Sequence, residues 1–173
     1  KLRISNMKKC FFLFSFIGVI LIAQGGFAME IASPDFKTNT MMPKKMTCQG
    51  VGVSPNLQIH GTPASAKSFV LIVDDPDAPS GNFDHWLVYN IPPQTITIEE
   101  NTIPGSLCIN DARQKEWCPP CAPSGTHRYF FKIYALDCEL ELPADAGRID
   151  LERAMEGHIQ DKAEMVGLYR KVW

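Results

Sequence analysis

Apolar and polar positions alternate along this chain in a way that predicts three long strands set among irregular, proline-marked stretches. The first apolar run, Ser68-Phe69-Val70-Leu71-Ile72-Val73, is unbroken and rich in β-branched residues. Such a run predicts a strand buried on both faces. It ends abruptly in Asp74-Asp75-Pro76-Asp77-Ala78-Pro79, which delivers carboxylates to the rim of a sheet. A second strand is predicted from His85 through Ile91 and is closed by Pro92-Pro93, which cannot continue a sheet interior. A third opens with His127 and runs through Tyr134 to Asp137. Two histidines at strand starts, with Asp75 and Asp77 at a strand end, predict groups gathered at one end of neighbouring strands. Ligand sites are commonly built at such an end.

The remaining pattern is weaker. Residues 31–46 fit an edge strand and a loop around Met41-Met42-Pro43, and Gly61-Thr62-Pro63-Ala64 is a turn by composition. Residues 94–126 are the least regular third, and a loop of that length in a compact domain is usually functional. Asp150 is a candidate cap for a helix whose apolar residues Leu151, Ala154, Met155 and Ile159 recur at helical spacing. Ala163 to Tyr169 predicts a closing strand containing Gly167. No internal repeat or low-complexity tract is present.

Charge and cysteines change the picture at the amino end. Met7-Lys8-Lys9, an apolar run from Cys10 to Ala23 and Gly26-Phe27-Ala28 form the layout of a secretory signal peptide. Lys1 to Asn6 precede the expected initiator and are read as non-native or upstream residues. The run is short of the roughly 20 residues that span a bilayer, and Cys10 lies too early for a lipoprotein anchor. The expectation is therefore residues 1–28 as signal and 29–173 as one exported domain, periplasmic or secreted, without stable membrane insertion. A start at Met29 would instead give a cytoplasmic chain. Removing residues 1–28 takes away Lys1, Arg3, Lys8 and Lys9 and leaves 13 basic against 19 acidic side chains, a net charge of −6. That balance argues against a nucleic-acid partner. Five cysteines remain (48, 108, 118, 121 and 138), consistent in an oxidising compartment with one or two disulfides and a leftover thiol.

Asp-Pro-Asp-Ala-Pro at 75–79, His-Trp-x-Val-x-Asn-x-Pro at 85–92 and Gly-Thr-His-Arg-Tyr at 125–129 resemble the phosphatidylethanolamine-binding protein (PEBP) family. The match is closest to its bacterial, Raf-kinase-inhibitor-like branch of the YbhB/YbcL type. Cys48-Gln49-Gly50 with Ser54-Pro55 upstream, and Ala154-Met155-x-Gly157-His158-Ile159 downstream, extend the resemblance over nearly the whole domain. The resemblance implies a mainly β fold: a large antiparallel or mixed sheet packed on a smaller one, with a few short peripheral helices, one near the carboxyl end. It implies a small pocket for phosphate-like anions and no established catalytic activity or cofactor. It also suggests Cys48 and Cys121 as a disulfide pair. The sequence departs from the family where Asn56 and Ile59 replace residues more often Pro and Trp. Further departures are Ala112-Arg113 where Phe-Gly is usual, and Cys118-Pro119 where glycines are usual.

The residues make the pocket chemically reasonable. His85 and His127 can supply N–H donors, and Asp75 can orient an imidazole and favour its protonated form. Tyr129 falls on the same strand face as His127, because side chains alternate with period 2. Pro79 and Pro123 would wall the site, and backbone N–H groups around Gly125 could complete it. Asp77 is either a further ligand contact or a cap of its own turn. His60 and His158 lack motif support and read as structural or exposed, while Trp86 and Tyr134 read as core.

Other chemistries are weaker. Cys118-Pro119-Pro120-Cys121 has redox spacing, yet Ala-Pro-Ser-Gly after it does not start a helix. A zinc site built on these thiols with Cys108 or Cys48 matches no standard spacing, so no metal is expected. A hydrolase using Asp75, His85 and His127 lacks a supported nucleophile, since Ser124 has no identifiable base. An inhibitor of an extracytoplasmic protease or another protein is a further class. The expected partner is a small anion, and the expected state is a monomer or homodimer.

Overall fold

The computed structural model describes residues 28–172. Among them run β1 (Glu30–Ala32), β2 (Thr40–Met41), a 3-10 turn (Lys44–Met46), β3 (Leu57–His60), β4 (Ser68–Asp75), β5 (Phe83–Ile91), β6 (Thr97–Ile98), β7 (Ser106–Leu107), β8 (His127–Leu136), α1 (Arg148–Met155) and β9 (Ile159–Tyr169). Six strands form one sheet in the order β2-β9-β8-β4-β5-β7, and β1-β3-β6 form the second. The pair β2–β9 is parallel and the others are antiparallel. This is the predicted mainly β sandwich of a larger mixed sheet and a smaller one, with a helix near the carboxyl end. Residues 1–27, which hold nearly all of the predicted export segment, lie outside the described residues. Among the described residues no helix is long and apolar enough to cross a membrane.

The central strand explains both faces of the molecule. All eight residues of β4 are buried, because β5 and β8 flank it and each face carries its own apolar cluster. Phe69, Leu71 and Val73 join Ile31, Leu57, Ile59 and Ile98 in the core between the sheets. Val70 and Ile72 pack on the other face with Leu151 and Met155 of α1. Alternation then separates the two carboxylates at the strand end. Asp74 continues the helix-side row, where Lys132 Nζ (2.7 Å) and Arg148 Nη1 (3.1 Å) donate to it. The Arg148 Nη1 also donates to Asp84 at 2.6 Å, tying α1 to the sheet. Asp75 continues the row that faces the opposite side.

The structure corrects several boundaries. β5 begins at Phe83, so His85 is its third residue rather than its first. Gly147, not Asp150, is the N-cap of α1, and Asp150 sits at the third helical position, where its carboxylate accepts the Gly147 N–H at 3.2 Å. Ile159 is not on the helix. Gly157 adopts a φ of 80°, which ends the helical path. β9 then starts at Ile159 and pairs with β8 from Leu136 down to His127. Its first residues, Ile-Gln-Asp-Lys, are mostly exposed, so their polar pattern hides a strand that backbone pairing creates. Gly167 is needed in that strand, since a Cβ there would stand 2.6 Å from the Met42 side chain.

Candidate functional site

The end of β4, the start of β5 and the start of β8 lie side by side, and a cavity of about 200 Å³ opens over them. Of the residues expected in a pocket, Asp75, Pro79, His85, Pro123, His127 and Tyr129 line it. Asp77 and Gly125 are not in the lining. Ser80, Phe83, Cys118 and Cys121 are, although the sequence reading did not place them there. Phe83 was findable, because it lies two residues before His85 on the same strand face. Cys118 carries no local signal for its position.

Asp75 organises the strand end. Its Oδ2 accepts the His127 Nδ1–H at 2.7 Å and its Oδ1 accepts the Asp77 N–H at 2.9 Å. With both oxygens engaged, Asp75 orients His127 and the turn. Asp77 itself is clamped from outside the cavity. Its Oδ2 accepts both the backbone N–H and Nε of Arg128 at 2.9 Å, and its Oδ1 accepts Nη2 at 2.7 Å. The guanidinium beside it holds the Asp77 carboxyl down at about 2. Gly125 takes a φ of 68° in the turn that leads into β8, a conformation that suits glycine.

His85 behaves differently from the expected donor. Its Nδ1 is 2.7 Å from the Cys118 carbonyl oxygen, and the Cys118 N–H donates back to the His85 carbonyl at 3.0 Å. A carbonyl can only accept, so Nδ1 carries the hydrogen. Burial pushes the His85 pKa down, which keeps the ring neutral and makes Nε2 an acceptor. Tyr129 lies on the floor, fully buried, with its ring edge-on to His85 at 5.2 Å and its hydroxyl without a hydrogen-bond partner among the described residues. Burial first, and the Asp75 charge second, hold its pKa well above the usual phenol range. It stays a phenol and a donor.

The third wall is the irregular loop. Asn110 is buried, and its Nδ2 donates to the carbonyls of His85 (3.2 Å) and Glu116 (2.9 Å) while its Oδ1 accepts the Gln114 N–H. Together with the backbone bonds from Asp111 N–H to the Asp84 carbonyl and from Cys118 N–H to the His85 carbonyl, this side chain holds residues 110–118 against β5. Arg113, one of the two residues at which the resemblance expects Phe-Gly, takes a left-handed φ of 63°. Cys48 and Cys121 form a disulfide, with Cα atoms 5.3 Å apart, as the resemblance suggested. Cys121 is therefore not a dithiol partner of Cys118, whose free thiol is pushed up by burial. Trp86 is buried in the inter-sheet core, Tyr134 packs against the helix-side core, and His60 is exposed at the end of β3.

Known proteins match this geometry and sequence. The family profile described as phosphatidylethanolamine-binding protein matches residues 32–170. A UPF0098 protein of Methanothermobacter thermautotrophicus is 43% identical over 150 residues, covering 83% of this chain and 99% of its own. A solved PEBP homologue from Chlamydia trachomatis superposes with a TM-score of 0.81 at 42% identity, covering 84% of this chain and 99% of its own. YbcL of E. coli, described as a member of the mammalian PEBP family, superposes at 0.76 with 26% identity, covering 84% of this chain and all of its own. The chain belongs to the phosphatidylethanolamine-binding protein family.

Proposed function

We propose that this protein is a binding protein for a small phosphate-like anion, acting after export from the cytoplasm. The observation that carries the reading is the His127 imidazole on the cavity wall, fixed through Nδ1 by a buried carboxylate. With Nδ1–H held by Asp75, the ring is fixed with its Nε2 edge free to meet an anion. Tyr129 adds a phenolic hydroxyl two residues along the same face. His85, as a neutral acceptor, favours a ligand that brings its own donor, such as a protonated phosphate oxygen or a headgroup ammonium. A cavity of about 200 Å³ suits a headgroup rather than an acyl chain, since drug-sized ligands occupy roughly 300 Å³ or more.

Export is supported by the signal-like segment at 7–28 and by the Cys48–Cys121 disulfide, a bond favoured in oxidising compartments. Binding rather than hydrolysis is supported by the nucleophile-type groups of the lining. Among the described residues neither Ser80 nor the Cys118 thiol hydrogen-bonds a histidine ring nitrogen, and Cys118 is shifted away from the thiolate.

The test is a thermal unfolding series with phosphate monoesters, phosphoethanolamine among them, beside turnover assays with chromogenic phosphate and acyl esters. A ligand at about 100 times its dissociation constant stabilises by roughly 2.7 kcal/mol. Stabilisation without turnover supports the binding reading. Turnover moves the site to a hydrolase, and silence in both moves the search to protein partners.

A further inference from the structure

Three ligand-type side chains gather at the opposite end of β8 from His127. Asp137 and Cys138 follow the last residue of β8, and His158 precedes the first residue of β9. One ligand atom from each, a carboxylate oxygen, the Cys138 Sγ and a ring nitrogen, all lie within 4.8 Å of one another. Their backbone is fixed. The Asp137 N–H donates to the His158 carbonyl at 3.1 Å, and the His158 N–H donates to Met155, the last residue of α1, at 3.1 Å. The Ser68 hydroxyl donates to the Cys138 carbonyl.

We propose that Asp137, Cys138 and His158 form a binding site for a divalent transition-metal ion, Zn²⁺ by its ligand chemistry. Thiolate, imidazole and carboxylate together suit zinc, whereas Ca²⁺ and Mg²⁺ take oxygen ligands. Zinc bonds of roughly 2.0–2.3 Å place tetrahedral neighbours about 3.3–3.7 Å apart. The His158 Nδ1 and Asp137 Oδ1 are 2.8 Å apart and hydrogen-bonded, so they open slightly, while the wider spacings close. Both side chains have the freedom for this, at 46% and 42% exposed. The ion replaces the Cys138 thiol proton, which is released to solvent. Three protein ligands leave a fourth position for water, so the site is exchangeable and independent of the cavity at the far strand end.

The test uses the folded chain with its disulfide intact, stripped of metal by chelator and titrated with Co²⁺ and Zn²⁺. One equivalent of Co²⁺ is expected to give a thiolate-to-metal charge-transfer band. Cys138→Ser should abolish the band, and His158→Ala should weaken Zn²⁺ binding by about tenfold or more, in line with the loss of one ligand. His158→Gln, which keeps a hydrogen-bonding partner for Asp137, should weaken it equally, separating ligand loss from local unfolding. Absence of the band at stoichiometric Co²⁺, or a band that survives Cys138→Ser, overturns the proposal.

Discussion

His127 Nδ1 stands 2.7 Å from Asp75 Oδ2, and the two side chains are only 7% and 5% exposed. The pair joins the end of β4 to the start of β8 and gives the imidazole a fixed orientation in the cavity. Replacing Asp75 by Asn keeps the shape and an acceptor but replaces the charged partner of the His127 Nδ1–H with a neutral one. Asp75→Asn is expected to lower phosphate-monoester affinity by roughly tenfold, the value of one charge-assisted bond. Calorimetric titration at pH 6 and pH 8 checks this, and equal affinity in parent and variant contradicts it.

His85 makes two pH-linked predictions. Burial lowers its folded pKa below the unfolded reference of about 6.5. Between those values the unfolded chain binds more protons, so stability rises with pH there. The contribution is fully present above the unfolded pKa and is lost as pH falls through the folded one. Unliganded Tm should therefore fall from pH 7 to pH 5, with a shallower slope in His85→Gln. Neutral His85 also discriminates among anions, because a phosphate monoester can carry a proton for Nε2 and a sulfate monoester cannot. At pH 7 phosphate should bind roughly tenfold tighter than sulfate, and the ratio should approach one in His85→Phe.

Arg113 holds a φ of 63° that costs an L-residue roughly 1–2 kcal/mol, part of which glycine returns as unfolded-state entropy. Arg113→Gly is expected to stabilise the protein by roughly 0.5–1 kcal/mol in urea unfolding. A destabilised variant would show that the Arg113 side chain has a compensating contact.

Arg148 Nη1 bridges Asp74 and Asp84, which are 1% and 5% exposed. Removing it leaves Asp84 without its cation and Asp74 with Lys132 alone. Arg148→Ala is therefore expected to destabilise by about 3–5 kcal/mol, the usual result of breaking a buried pair. Chemical unfolding measures it, and a loss below about 1 kcal/mol would show that water replaces the guanidinium.

How far the sequence reached follows from which interactions are local. β4 was legible because burial on both faces requires an unbroken apolar run, and β8 because its buried residues alternate with more exposed ones. His127 and Tyr129 fell on one face by simple alternation. The opposite destinations of Asp74 and Asp75 follow from the same alternation. What could not be read depends on partners distant in sequence. The His85 tautomer is set by the carbonyl of Cys118, 33 residues away. Asp77 is drawn from the cavity by Arg128, 51 residues away. The first residues of β9 form a strand only because β8 pairs with them. The path of the 110–118 loop was equally hidden, because it rests on the bonds of Asn110 to the carbonyls of His85 and Glu116 and on a left-handed Arg113.

The central claim is that His127 is the donor that makes the cavity an anion site. Isothermal titration of phosphoethanolamine into the folded protein and its His127→Ala variant tests it most directly. The account predicts one site per chain in the parent and a loss of affinity of about tenfold or more in a variant that remains folded. Binding of equal strength in the variant, or no binding to the parent, would contradict it.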